Sequence, residues 1–144
     1  MPAEDTTGEP PPELTETELE AVHEVELGLE WLQRAQGSLL EFHHATGHGM
    51  DHLYRAETLL EECDREGLAA AIKADLLPHG VVDEDRWSYD ILENFQTTLL
   101  AEARALEAQV REEMTDGHRH VAERKQEREW KRRARRSRDD DREV

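Results

Sequence analysis

A chain of 144 residues with 37% charged and only 5% aromatic side chains has room for one ordinary domain, and too few large apolar groups for a thick sandwich core. A formal net charge of −17 argues against a polyanion-binding body, and no run approaches the roughly 18 consecutive apolar residues of a membrane span. The charge is also divided along the chain: residues 1–117 carry 28 acids against 7 bases, whereas 118–138 carry 10 bases against 3 acids.

Dense carboxylates with only three lysines, Lys73, Lys125 and Lys131, are the composition expected in concentrated salt, where repulsion is screened within about 3 Å at 1 M. A halophilic cytoplasm is the expected setting. Cys63 stands alone, which excludes an intrachain disulfide framework and fits a reducing compartment. Its acidic neighbours Glu61, Glu62, Asp64 and Glu66 would raise a thiol pKa, so it is read as a small buried residue near a helix end, not a nucleophile. Neither a signal peptide nor a membrane segment is expected.

The arm 1–14, with Pro10, Pro11 and Pro12 and almost no apolar content, is expected to be disordered. Thr15-Glu16-Thr17-Glu18 has the form of a capping box, and Glu16 and Glu18 suit the positive end of a helix dipole. Apolar residues then recur at helical spacing through Val22, Val25, Leu29, Leu32, Leu39, Phe42, Met50, Leu53 and Leu60, with Gly67 offered as the stop. Gly47 and Gly49 together cost about 2 kcal/mol relative to alanine, so a kink there is open.

Leu68, Ile72 and Leu76 form a short helix that must end near Pro78, and His79-Gly80 turns the chain. A helix opening after Asp83 or Asp85 carries Leu92, Phe95, Leu99, Ala103, Leu106, Val110, Met114 and Val121 in one phase, with a weak point at Asp116-Gly117. The expected architecture is all-α: an elongated antiparallel hairpin of two long helices, about 16–66 and 84–136, with a connecting helix at about 68–77. That makes a single helical domain over 15–138 and a frayed tail over 139–144.

A reversal around 67–83 places residues whose numbers sum to about 150 opposite one another, so 13–30, with seven glutamates and no base, faces the basic stretch 120–137. Internal pairing is therefore the leading account of the basic end. Trp31, Leu40, Leu59, Ile91 and Leu100 fall off the main apolar stripes. A homodimer closing into a four-helix bundle would cover them, with a monomer in which the short helix packs as a third layer as the alternative.

Chemistry concentrates in Glu41 to His52. His44, His48 and His52 stand at i, i+4 and i+8, one column on a helix, and Glu41 with His44 has the E-x-x-H spacing of di-iron bundles. A complete di-iron centre would need a second such motif. The column also lies nearly opposite the core stripe, so it is read as a solvated face, with a transition-metal site on Glu41, His44, His48 and His52 as the alternative. His43 is expected to be a partnered interface histidine, and His118 and His120 carry only a weak signal near Glu30 and Leu32. There is no Gly-rich phosphate loop, nucleophile elbow or cysteine pair.

The basic stretch from Arg119 to Arg138 could in principle hold nucleic acid, but phosphate contacts weaken steeply in salt. The expected function is an acidic helical interaction or scaffold protein without catalysis, holding an unknown protein partner. Metal binding through the histidine column is the second reading and nucleic-acid association the third.

Overall fold

A computed structural model of the chain describes residues 12–142, so most of the arm expected over 1–14 lies outside the described residues. The described residues are all-α: helices α1 (Glu16–Glu62), α2 (Glu66–Ala71), α3 (Ser88–Thr97), α4 (Leu99–Thr115) and α5 (Val121–Arg142). Between α2 and α3 the chain continues as a π turn over Ile72–Leu76 and a 3₁₀ turn over Leu77–His79. No β-strand occurs among the described residues; Val82 and Arg86 form one isolated bridge.

The chain divides into two compact units. Unit 1 draws on the segments up to Glu30 and from Ala103 onward, and unit 2 is Trp31–Glu102. No helix among the described residues is long and apolar enough to cross a membrane.

The start of α1 follows directly from the sequence. The Thr15 hydroxyl accepts from the Glu18 N–H at 3.1 Å, and the Glu18 carboxylate accepts from the Thr15 N–H at 3.2 Å, so two otherwise orphan donors are satisfied reciprocally. The helix runs unbroken through Gly47 and Gly49. It ends earlier than Gly67. Asp64 takes a left-handed conformation at φ 62°, its N–H donates to the Glu61 carbonyl and the Arg65 N–H to the Leu60 carbonyl. Those two bonds close a Schellman motif with aspartate in the place glycine usually takes, because its short polar side chain tolerates that region. Gly67 lies instead within α2, and Cys63, expected to be buried, is exposed beside this cap.

The connector is tighter than a simple turn. The N–H groups of Val81 and Val82 both point to the Arg86 carbonyl, at 2.8 and 3.2 Å. Gly80 sits at φ 84°, which favours glycine, and a Cβ there would stand a tight 3.3 Å from that same carbonyl oxygen. Helix α3 then opens after Trp87, whose N–H donates to the Asp90 carboxylate at 2.9 Å. This is half of a capping box, since an indole offers no acceptor to return the bond.

The long helix expected over 84–136 is three helices. The first break is at Thr98 (φ −109°, ψ −97°). Thr97 and Thr98 turn their hydroxyls onto the Glu93 and Asn94 carbonyls, at 2.8 and 2.5 Å, the back-bonding that bends helices. The inward stripe slips by one residue as a result. Leu100 is wholly buried (0% exposed) and Glu107 nearly so, while Leu99 and Leu106, expected inside, are 50% and 53% exposed.

The second break lies at the expected weak point. Asp116, Gly117 and His120 all adopt positive φ, and the Gly117 N–H reaches back to the Arg111 carbonyl at 3.0 Å. The fully buried Thr115 hydroxyl lies 2.7 Å from both the Arg111 and His118 carbonyls, so its proton can serve either. Helix α5 then extends to Arg142, past the end expected at about 136 and through the first residues of the tail expected to fray.

Candidate functional site

In unit 1 the beginning of α1 meets the beginning of α5. Val22 and Val121 are both buried, and Glu13, Leu14 and Leu19 line one groove with Val121, Lys125, Arg128 and Arg132. Acidic and basic segments thus share a surface, as the charge pattern suggested. A polar contact between the two helices joins His23 Nδ1 to Glu123 Oε1 at 3.3 Å. These numbers sum to 146, about one helical turn from the expected register, and His120 lies against Glu26.

Glu26 is the electrostatic centre of this junction. Half-burial holds its carboxyl above the usual carboxylate range, and the like charge of Glu123 pushes the same way. The His120 side chain, the His120 backbone N–H and His23 pull against that rise. His23 Nδ1 is shut off from solvent, yet no hydrogen bond reaches it; Glu123 is near without being aligned. Among the described residues, His23, Glu26 and Glu123 are the set of potential metal ligands whose donor atoms converge, all within 4.8 Å of one another. Along the sequence they belong to two matching pairs, His23-x-x-Glu26 and His120-x-x-Glu123.

The residues singled out by sequence lie elsewhere. Glu41, His44, His48 and His52 are all exposed on the unit 2 part of α1, and their donor atoms do not gather in this way. His43 accounts for itself differently: its Nδ1 shares a 2.6 Å hydrogen bond with the hydroxyl of Ser88, a buried residue in the first turn of α3. The pair ties α1 to α3 within unit 2. His44 lies beside His43 with ring centroids 5.6 Å apart.

Unit 2 presents a different kind of surface. Of the eleven large apolar side chains exposed among the described residues, nine belong to unit 2. On α1 these include Trp31 (64% exposed), Tyr54 (63%) and Leu59 (48%), with Leu40 and Phe42. Trp31, Leu40 and Leu59 were expected to need cover; Ile91 is half-buried and Leu100 has moved inside. Tyr54 and Leu59 line a shallow groove with Arg55, Thr58 and Glu62. The Arg34 guanidinium stacks on Trp31 at 4.5 Å from the ring centroid.

The bases of α5 beyond Arg124 are exposed, with Lys131 and Arg124 both held by Glu127 at 2.6 and 3.1 Å. Those bonds hold the Glu127 carboxyl below its usual range, the Lys131 hydrogen bond first. No protein-family model, curated protein or solved structure matches the chain.

Proposed function

We propose that the chain is a helical interaction protein that acts as a homodimer, with the apolar residues of unit 2 as its self-association face. The supporting observation is the imbalance of apolar burial. Five apolar residues are buried among the described residues, Val22, Ala69, Leu92, Leu100 and Val121, whereas eleven large ones are exposed. Monomeric proteins scatter such residues singly; it is a shared face that marks a surface covered when the protein works, and on α1 Leu40 and Tyr54 supply it. Burying one such side chain contributes roughly 1.5–3 kcal/mol, so a handful suffices to offset the entropy of association.

A second copy is favoured over an unrelated partner by charge. Residues 13–30 carry seven acids and no base, but 31–60 carry three acids and two bases, so two copies can meet along this part of α1 with little repulsion. Leu40 and Tyr54 are two heptads apart and share a helix face, the repeat that a two-fold helical interface uses. The elongated hairpin and its closure into a four-helix bundle belong to this proposal. So does a working environment of concentrated salt, which would strengthen the same apolar contact while screening the carboxylates.

The test is the solution mass of full-length protein in about 2 M KCl, a level that screens its carboxylates. Twice the chain mass is expected for the wild type. The Leu40→Glu, Tyr54→Glu double variant, which places charge on the face without touching the buried residues, is expected to be monomeric with unchanged helicity. A wild-type monomer throughout the micromolar range would overturn the proposal.

A further inference from the structure

The junction of α1 and α5 in unit 1 holds a donor set that its fold does not use up. His23 and Glu26 are one turn apart on α1, and Glu123 projects from the first turn of α5. Two ligands each about 2.1 Å from a zinc ion at a tetrahedral angle stand roughly 3.4 Å apart. The His23 Nδ1 to Glu123 Oε1 distance of 3.3 Å already has that length. Buried polar nitrogens ordinarily find a hydrogen-bond partner, and His23 Nδ1, closed to solvent, has none. Opposite it, the half-buried Glu26 carboxylate stands close to that of the exposed Glu123, a like-charge approach that a cation would relieve.

We propose that His23, Glu26 and Glu123 bind one divalent transition-metal ion of the zinc class. His120, whose backbone already anchors Glu26, or water completes the coordination. One imidazole with two carboxylates is a borderline nitrogen and oxygen set that suits zinc better than calcium or magnesium, which take all-oxygen cages. The site is distinct from the exposed column at His44, His48 and His52 and does not depend on dimerisation. Its effect is structural: the ion ties the acidic start of α1 to the start of the basic helix and fixes their register. Binding requires His23 neutral and both glutamates ionised, so uptake releases protons and weakens in acid.

The experiment is a zinc titration of untagged, chelator-treated full-length protein against a chromophoric competitor, with helicity followed by circular dichroism. One tight equivalent per chain is expected for the wild type and for His48→Ala, and a rise in melting temperature should accompany it. Glu26→Gln and His23→Gln should each weaken binding at least about tenfold, the size of effect that losing a metal-site partner produces. Glu26→Gln removes a repelled charge and preserves shape, so it is expected to remain folded. The proposal is overturned if folded wild type takes up no zinc, if Glu26→Gln binds as tightly as wild type, or if uptake disappears in His48→Ala and survives in His23→Gln.

Discussion

Unit 1 and unit 2 are built from one continuous α1, yet they solve different problems. In unit 1 the buried apolar residues among those described are Val22 and Val121, and the polar contacts include His23 with Glu123, Glu26 with His120, and Glu107 with Arg111 at 3.3 Å. In unit 2 the buried residues among those described are Ala69, Ser88, Leu92, Leu100 and Glu57, and nine large apolar side chains are exposed. The comparison teaches how the charge split is used. Opposite charges are placed where two segments of the same chain must find their register, and the near-neutral part of α1 is left apolar on its surface. Exposed pairs contribute at most about 1 kcal/mol each, so charge of this kind would select an arrangement more than stabilise it. Apolar contact carries the larger free energies, and in unit 2 many large apolar side chains are exposed.

Perturbations of the two units should therefore differ in size. The largest single-residue effect is expected in unit 2 from Leu100→Ala. This side chain is wholly buried, and its truncation should cost about 2–5 kcal/mol, read from urea unfolding. A loss below about 1 kcal/mol would show that the slipped stripe at Thr98 does not form a real core. In unit 1, Thr15→Ala removes the side-chain half of the α1 capping box and should cost about 1 kcal/mol, with Thr15→Ser restoring most of it.

The smallest effect sharpens the comparison through its sign. Because burial and then Glu123 hold the Glu26 carboxyl above its unfolded value, the folded state binds more protons than the unfolded one between those two values. Stability from this group therefore falls as pH rises through that window. In metal-free protein Glu26→Gln should raise stability at neutral pH, and the advantage should disappear on acidification below the unfolded carboxylate range. Urea midpoints of the two proteins at neutral and acidic pH measure it. A variant less stable at neutral pH would mean that Glu26 is held by favourable bonds, not repelled.

Much of this architecture was legible in the sequence where local chemistry decides. The all-α class followed from apolar spacing, and the Thr15 to Glu18 capping box formed both of its bonds. That residues of 13–30 and of the basic stretch would share a surface was suggested by charge, and in unit 1 both line one groove. The breaks were harder, because periodicity counts apolar residues and ignores what hydroxyls do to carbonyls. The adjacent Thr97 and Thr98 were the available signal, and a one-residue slip there exchanges Leu99 for Leu100 and Leu106 for Glu107. Asp64 as a helix stop was masked by the more obvious Gly67.

The convergent donors were missed for a related reason. Ligands four apart on one helix are conspicuous, so His44, His48 and His52 drew attention, whereas a site shared by two helices appears only once their register is known within a turn. The signal that could have found it is the repeated His-x-x-Glu spacing at His23 and His120, at the edges of segments of opposite charge.

The most direct test of the account is the mass of the full-length protein by sedimentation equilibrium in about 2 M KCl, beside the Leu40→Glu, Tyr54→Glu variant. A dimer that the two substitutions convert to a folded monomer is the predicted result and would establish unit 2 as the surface through which the chain works. A wild-type monomer, or a dimer indifferent to both substitutions, would contradict it.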